Sequence, residues 1–251
     1  PWLVDGKEVL PIQEDSTALI LWALWIHYES SKDIEFIRPF YNTLIKKSAD
    51  FMVTHRDPDT KLPIPGYDLW EERFGVHTYT VASVIAGLRA AANFAKLFLD
   101  TSLAEKYNKT AEEIKEGLTK HLYYTGLKRY ARSGYRKGKG YELDEVIDVS
   151  LSALVFLGVL PPKDPRMVET MEAIYQQLWL KTPVEGCARY KNDVYHRPDD
   201  SPEDTPGNPW FISTLWLAEY YIARSESLHE LREAIPYLEW CTKNALPSGV
   251  L

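Results

Sequence analysis

Three carboxylates and two aromatic rings fall within the seven-residue run Gly66-Tyr67-Asp68-Leu69-Trp70-Glu71-Glu72. Adjacent carboxylates such as Glu71 and Glu72 disfavour ionisation of both. Trp70 adds an apolar wall that desolvates whichever one turns inward. A carboxylic acid held protonated near neutral pH in this way can act as a general acid. The same residues also read as the first turn of a helix, where acidic side chains are favoured by the helix dipole. The run leaves a proline-broken loop, Pro58 to Pro65, and precedes a long apolar helix expected from near His77. Loops that feed helices place side chains at the rim of a scaffold, where sites gather.

Two other stretches gather polar side chains ahead of predicted helices. Gln13-Glu14-Asp15-Ser16-Thr17-Ala18-Leu19 opens the first helix, with Asp15 or Ser16 as its cap. Thr182 to Gly207 is a long loop rich in Pro, Asp and Gly, a kind that is usually functional or disordered. It carries Cys187-Ala188-Arg189-Tyr190-Lys191-Asn192-Asp193 and ends at Gly207-Asn208-Pro209-Trp210-Phe211. There Asn208 followed by Pro209 also reads simply as a helix cap.

The three stretches, in this order, resemble landmarks of the glucoamylase family of glycoside hydrolases (family 15). The resemblance implies that Glu71 is the general acid, and that Glu72 and Arg189 hold sugar hydroxyls with Arg189 near the Glu71–Glu72 pair. It makes Trp70 a wall of the pocket and places Gln13, Tyr67, Asp68 and Trp210 around the substrate. It implies an all-α fold, an (α/α)6-barrel or six-hairpin toroid. The periodicity here yields about eight helices, so residues 1–251 are expected to form one domain, incomplete at both ends and corresponding to the middle and later part of a catalytic domain. The implied activity is inverting, exo-acting hydrolysis of α-glucosides, releasing glucose from α-glucans or oligosaccharides. Trehalose- or dextran-type hydrolysis is the close alternative. The family's catalytic base would fall past Leu251, so a non-catalytic helical toroid binding glycans or another protein is a reading from a different class.

Composition is consistent with these readings. The 251 residues carry a net charge of -7 with no long basic run, which argues against a nucleic-acid partner. Eight Trp and 16 Tyr offer flat faces for stacking on sugar rings as well as for packing between helices. Cys187 and Cys241 lack metal-ligand spacing and read as isolated thiols, with a disulfide the alternative. No metal or other cofactor is expected. The apolar run Ala18 to Ile26 is too short to span a bilayer, and nothing near Pro1 resembles a signal peptide, so the cytoplasm is favoured. Because the first residue is not Met, the chain reads as starting inside a longer protein. Oligomeric state is left open.

Hydrophobic periodicity predicts helices over about Asp15–Ser30, Asp33–His55, His77–Leu99, Ser102–Tyr123, Asp144–Leu157, Asp164–Leu180, Trp210–Arg224 and Ser227–Asn244. The first is apolar on nearly all sides and is expected to be buried. Ser102-Leu103-Ala104-Glu105 has a capping-box pattern. Between Gly126 and Glu142, Arg129, Arg132, Arg136, Lys137 and Lys139 alternate with Tyr130, Tyr135 and Tyr141, which predicts a surface hairpin.

Overall fold

The computed structural model describes residues 2–4, 7–9, 12–199, 201–202 and 204–251. The chain is mostly helical, with small sheets, and folds as two compact units. One comprises Pro1–Tyr123 and Ser133–Leu143, the other Tyr124–Arg132 and Asp144–Leu251.

In the first unit, a short antiparallel ladder, Trp2–Val4 with Lys7–Val9, precedes helix α1, Glu14–Ser31. Gln13 is the residue before its first turn and gives no side-chain cap. Asp15 and Ser16 therefore lie inside the helix rather than capping it, and the Asp15 carboxylate accepts from the Ser16 N–H at 2.8 Å. The expectation of a helix buried on all sides also fails. Only Glu14, Asp15, Ala18 and Leu21 are buried, while Ile20 and Ile26 are about half exposed.

The second predicted helix is one helical rod with a fault. α2 (Ile34–Phe40) passes through a π-turn, Tyr41–Ile45, into α3 (Lys46–Thr54). Pro39 lacks an N–H and crowds the preceding turn. A π-turn absorbs that disruption, and the Thr43 hydroxyl donates to the Pro39 carbonyl at 2.8 Å.

The all-α expectation needs correction between residues 66 and 77. The acidic run does not lead straight into a helix. It forms the turn between two strands, Gly66–Tyr67 and Phe74–His77, paired antiparallel with Gly66 opposite Gly75 and Tyr67 opposite Phe74. The second strand pairs on its other side with Ser133–Lys137, which forms a hairpin with Gly140–Leu143. The predicted surface hairpin is thus part of a four-stranded sheet. Short strands with Gly at two of six positions carry little alternation, so periodicity missed them.

Helix α4 (Thr78–Leu97) follows, buried on nearly every side from Thr78 to Ala95. Its small residues let α1 approach: a Cβ on Gly87 would sit 2.8 Å from the Ala18 carbonyl oxygen. Helix α5 (Thr101–Leu122) packs back on α4 through Ala104, Tyr107, Ala111, Ile114, Leu118 and Leu122, spaced by three and four. Its cap is Asp100, accepting from the Leu103 N–H, rather than the Ser102 capping box.

In the second unit the predicted helix over Asp144–Leu157 is largely absent. The Asp144 and Asp148 carboxylates accept from Val146 N–H and Ser150 N–H, two residues on. These local turns compete with a helix. Only a 3-10 turn, Val149–Ser152, and a one-turn helix α6, Ala153–Phe156, form. α7 (Pro165–Leu178) begins as expected, with Asp164 capping Arg166 N–H and Pro165 in the first turn. α8 spans Phe211–Arg224. The last predicted helix is broken into α9 (Leu228–Leu231), a 3-10 turn and α10 (Ile235–Asn244). Pro236 enters the first turn of α10, where its missing N–H costs least. Cys187 and Cys241 are both free and buried.

Glu14 gives the first unit a measurable pH dependence. Both its carboxyl oxygens are buried, with no hydrogen-bond partner among the described residues. Burial, then the neighbouring Asp15 charge, pushes its pKa up to about 8 from an ordinary 4.5. Between those values the folded chain binds more protons than the unfolded one, so stability falls as pH rises and is level above about 8. Glu14→Gln removes the ionisable group. Its melting temperature relative to wild type should therefore rise between pH 5 and pH 8.5, by an amount reflecting a few kcal/mol at most. An equal difference at both pH values would mean that Glu14 titrates normally.

Candidate active site

The Asp68–Arg73 turn is built around one carboxylate. Asp68 is buried, at 6% exposure. Its Oδ1 accepts from Glu72 N–H at 2.7 Å and Arg73 N–H at 3.1 Å, and its Oδ2 accepts from Arg73 Nη1 at 3.3 Å. Its own N–H donates to the Arg73 carbonyl, and the Glu71 N–H donates to the Asp68 carbonyl, each at 2.9 Å. The loop is tied at both ends, and Glu71 is left in the left-handed region with φ 58°. Such a conformation is costly for a residue with a Cβ and persists only where the surroundings over-determine it.

This turn projects Glu71 into an exposed position, where its Oε1 lies 3.5 Å from Gln13 Nε2. Glu72 points differently: Arg73 Nη1 holds its Oε2 at 2.8 Å. Trp70 is half-buried beside them, and Tyr67 meets Phe74 edge to face across the paired strands at 5.5 Å. The structure thus brings Gln13 and the 67–72 residues of the first unit together. It gives Asp68 a role that the sequence did not suggest. Its carboxylate oxygens bond within the turn and position the turn.

Two features beside the turn were not legible in the sequence. The first is a pair of carboxyls on α1, Glu14 and Asp15, whose pKa values burial pushes up. For Asp15, burial dominates, opposed by the Ser16 N–H, and the charges of Asp68 and Glu71 push it further up. Asp15 therefore supplies a carboxyl on the helix side of the same group. Its charge, after burial, also helps raise Tyr79 to about 12. The second feature is His77, buried at 3% exposure. Its Nε2 meets the Gly66 carbonyl at 3.1 Å and its Nδ1 meets Ser133 Oγ at 2.7 Å. A carbonyl can only accept, so in the neutral ring Nε2 carries the proton and Nδ1 accepts from the serine. One imidazole thereby fastens the base of the Gly66 strand and the hairpin strand to the start of α4. A scattered histidine gives no sequence signal for such a role.

Arg189 and Trp210 lie in the second unit and form a cluster of their own. Arg189 is buried and grips Asp193 with a fork, Nε to Oδ2 at 2.6 Å and Nη2 to Oδ1 at 2.8 Å. Its guanidinium carbon lies 4.9 Å from the Tyr195 ring centre and 5.3 Å from those of Tyr190 and Trp210. Tyr195 and Trp210 are stacked, with centres 5.8 Å apart. The loop closes tightly here, because a Cβ on Gly207 would come within 2.7 Å of Asp193 Cβ. Asn208 does not cap α8. Trp210 stands at that position, and the Asn208 amide donates to the His196 carbonyl at 2.6 Å, across the loop. Tyr195 carried no sequence signal, since aromatic residues are frequent throughout the chain.

Among the described residues, no group of three or more His, Cys, Asp or Glu is arranged to hold a metal ion, and no helix is long and apolar enough to cross a membrane. Chemically, the first-unit cluster offers a carboxyl held out by a strained turn, with further carboxyls behind it. The second-unit cluster offers an arginine set among aromatic faces, as suits binding a polyhydroxylated ring.

Comparison with known proteins fits this chemistry. An uncharacterized glycosyl hydrolase of Methanocaldococcus jannaschii is 35% identical over 222 residues, covering 88% of this chain and 32% of that protein. A Clostridium glucoamylase is 27% identical, covering 84% of this chain and 32% of its own length. A Mycobacterium tuberculosis trehalase is also 27% identical, over 85% and 28%. The chain thus spans about a third of the length of these relatives. Among solved structures, a bacterial glucoamylase complexed with acarbose superposes with a TM-score of 0.74 at 25% identity, covering 98% of this chain and 37% of that one. The sequence model described as Glycosyl hydrolases family 15 matches residues 3–244. The chain therefore belongs to glycosyl hydrolase family 15.

Proposed function

We propose that the chain contributes the acid side of an inverting, exo-acting α-glucoside hydrolase of glucoamylase type, acting on α-glucans or oligosaccharides. The observation that carries this reading is the Asp68 turn, which holds Glu71 outward at φ 58°. Closure of the turn on Asp68 imposes that backbone conformation, and it turns the Glu71 carboxyl outward beside Gln13. In this reading Glu71 protonates the departing glycosidic oxygen. Glu72, oriented by Arg73, and Arg189, oriented by Asp193, hold sugar hydroxyls. Trp70 and Trp210 form apolar walls, with Tyr67 and Gln13 at the rim. The two units are parts of one (α/α)6 catalytic domain, a reading supported by a family match that runs through both.

Inversion needs a second carboxylate, roughly 6.5–9.5 Å from the acid, to activate water on the opposite face of the sugar. Asp68 and Glu72 belong to the same turn as Glu71 and are poor candidates for that face. Asp193 is bound to Arg189. The family resemblance puts the catalytic base past Leu251, so we expect the chain alone to hydrolyse α-glucosides only feebly. The glucoamylase and trehalase relatives keep α-1,4 and trehalose-type substrates both in play. A non-catalytic binding toroid is the reading to adopt if no lengthened form shows activity.

Two outcomes test the assignment. In a version lengthened at both ends to the size of its relatives, maltose hydrolysis should first give the non-reducing glucose as the β-anomer, and trehalose hydrolysis one β- and one α-glucose, as read by NMR. Glu71→Gln should lower the rate by roughly a hundredfold or more. Retention of configuration, or full activity of that variant, would refute it. In the 251-residue chain itself, Glu71→Gly should raise the unfolding free energy by about 1 kcal/mol, because glycine relieves the left-handed strain. A loss of stability would show that the Glu71 side chain holds the fold and is not held in place at the fold's expense.

A further inference from the structure

The basic hairpin that the sugar chemistry leaves unused borders a cavity of its own. Asp59, Thr60, Lys120, His121 and Lys139, all within the first unit, line an open pocket of about 320 Å³. Lys139 is placed there by the hairpin. Lys137 pairs with Gly140, so Gly138 and Lys139 are the two turn residues. Gly138 at φ 60° makes this a type II′ turn. Lys120 reaches the same cavity from the last turn of α5.

The cations and anions at this cavity are not matched. The Asp57 carboxylate accepts from Asp59 N–H and Thr60 N–H at 2.9 Å each and lies 3.7 Å from Arg136. Asp59 lies 3.7 Å from the other arm of Arg136. The neighbouring Lys137 is spent on Glu142 at 2.7 Å. Lys120 and Lys139 have no ion-pair or hydrogen-bond partner among the described residues, even though Asp59 lines the same cavity. Elsewhere in this unit Lys46 and Lys106 each find an aspartate. His121 records the resulting field: burial, then Lys120 and Arg136, push its pKa down, opposed only by Asp57. It packs edge to face on Tyr141 at 5.8 Å, and the Tyr141 hydroxyl meets Thr60 Oγ1 at 3.2 Å.

We propose that this cavity is a binding site for a phosphate-type oxyanion, inorganic or carried as a phosphomonoester, held by the Lys120 and Lys139 ammonium groups with His121 at its wall. Two flexible ammonium groups suit a compact anion approached from several directions, as point charges and not as a planar fork. The volume admits phosphate or a small sugar phosphate. Asp59 in the lining, with the Asp57 carboxylate bonded to its N–H, disfavours an extended polyanion.

The test is titration of the 251-residue chain with inorganic phosphate at low, constant ionic strength, followed by calorimetry and by the His121 ring resonances. Saturable 1:1 binding is expected, with His121 taking up a proton more readily as phosphate fills the cavity. Lys120→Gln and Lys139→Gln should each weaken binding about tenfold, while Lys137→Gln, outside the cavity, should leave it unchanged. All three are exposed surface changes, and circular dichroism melting checks that each variant folds. Glucose 6-phosphate competing more tightly than phosphate would identify a phosphomonoester as the ligand; competition no tighter would identify the inorganic ion. The proposal is overturned if phosphate shows no saturation in the wild type, or if His121 does not respond. It is also overturned if heparin binds and Lys137→Gln weakens it as much as the other two, which would mark a diffuse cationic surface.

Discussion

The candidate site depends on how one buried carboxylate is satisfied. Asp68 is almost wholly removed from water, and a buried carboxylate is tolerated only when its oxygens are bonded. Two backbone N–H groups and Arg73 supply those bonds, and all come from the five residues that follow. Closing so short a loop on a single side chain leaves the backbone at Glu71 little choice, and it takes a left-handed conformation. Orientation of Glu71, separation of Glu71 from Glu72, and capture of Glu72 by Arg73 are all consequences of that closure. The mouth of the turn is fixed in turn by two strand pairs and by the His77 bridge.

Around this turn the structure accepts a concentration of negative charge. Asp15 lies close enough to Asp68 and Glu71 for their charges to act on it, and Glu14 adjoins Asp15. Together with burial, this keeps both α1 carboxyls more protonated than free side chains would be. A site that must hold one carboxyl protonated and another ionised uses this kind of crowding to separate their pKa values. The cost is stability at alkaline pH, which a chain selected only for folding would avoid by placing apolar residues at positions 14 and 15.

How much of this could be read in advance depended on whether the governing interactions were local. The acidic run was expected to lead into a helix and instead closes a turn between two strands, whereas the Asp164–Pro165 helix start was legible, because its meaning lies in consecutive residues. The surface hairpin was legible for the same reason, from glycines among alternating aromatic and basic residues. The 144–157 segment was misread as a helix because its apolar spacing is helical, while Asp144 and Asp148 turn the backbone by bonding two residues ahead. The cap of α5 was misplaced by two residues, since Asp100 and Ser102 are both good caps by type. The roles of His77 and Asp15 arise from partners distant in sequence, and Tyr195 meets Arg189 and Trp210 through the fold of its own loop, so their residue types alone carry no such information.

The account rests on Glu71 being the proton donor, and dependence on the leaving group tests that most directly. A lengthened Glu71→Gln variant can be compared with its parent on maltose, whose leaving oxygen needs a proton, and on α-glucosyl fluoride, whose fluoride departs with little need of one. The account predicts a fall of roughly a hundredfold or more on maltose and a much smaller fall on the fluoride. Equal losses on the two substrates would contradict it, because they would mean that Glu71 binds or shapes the site without giving up its proton.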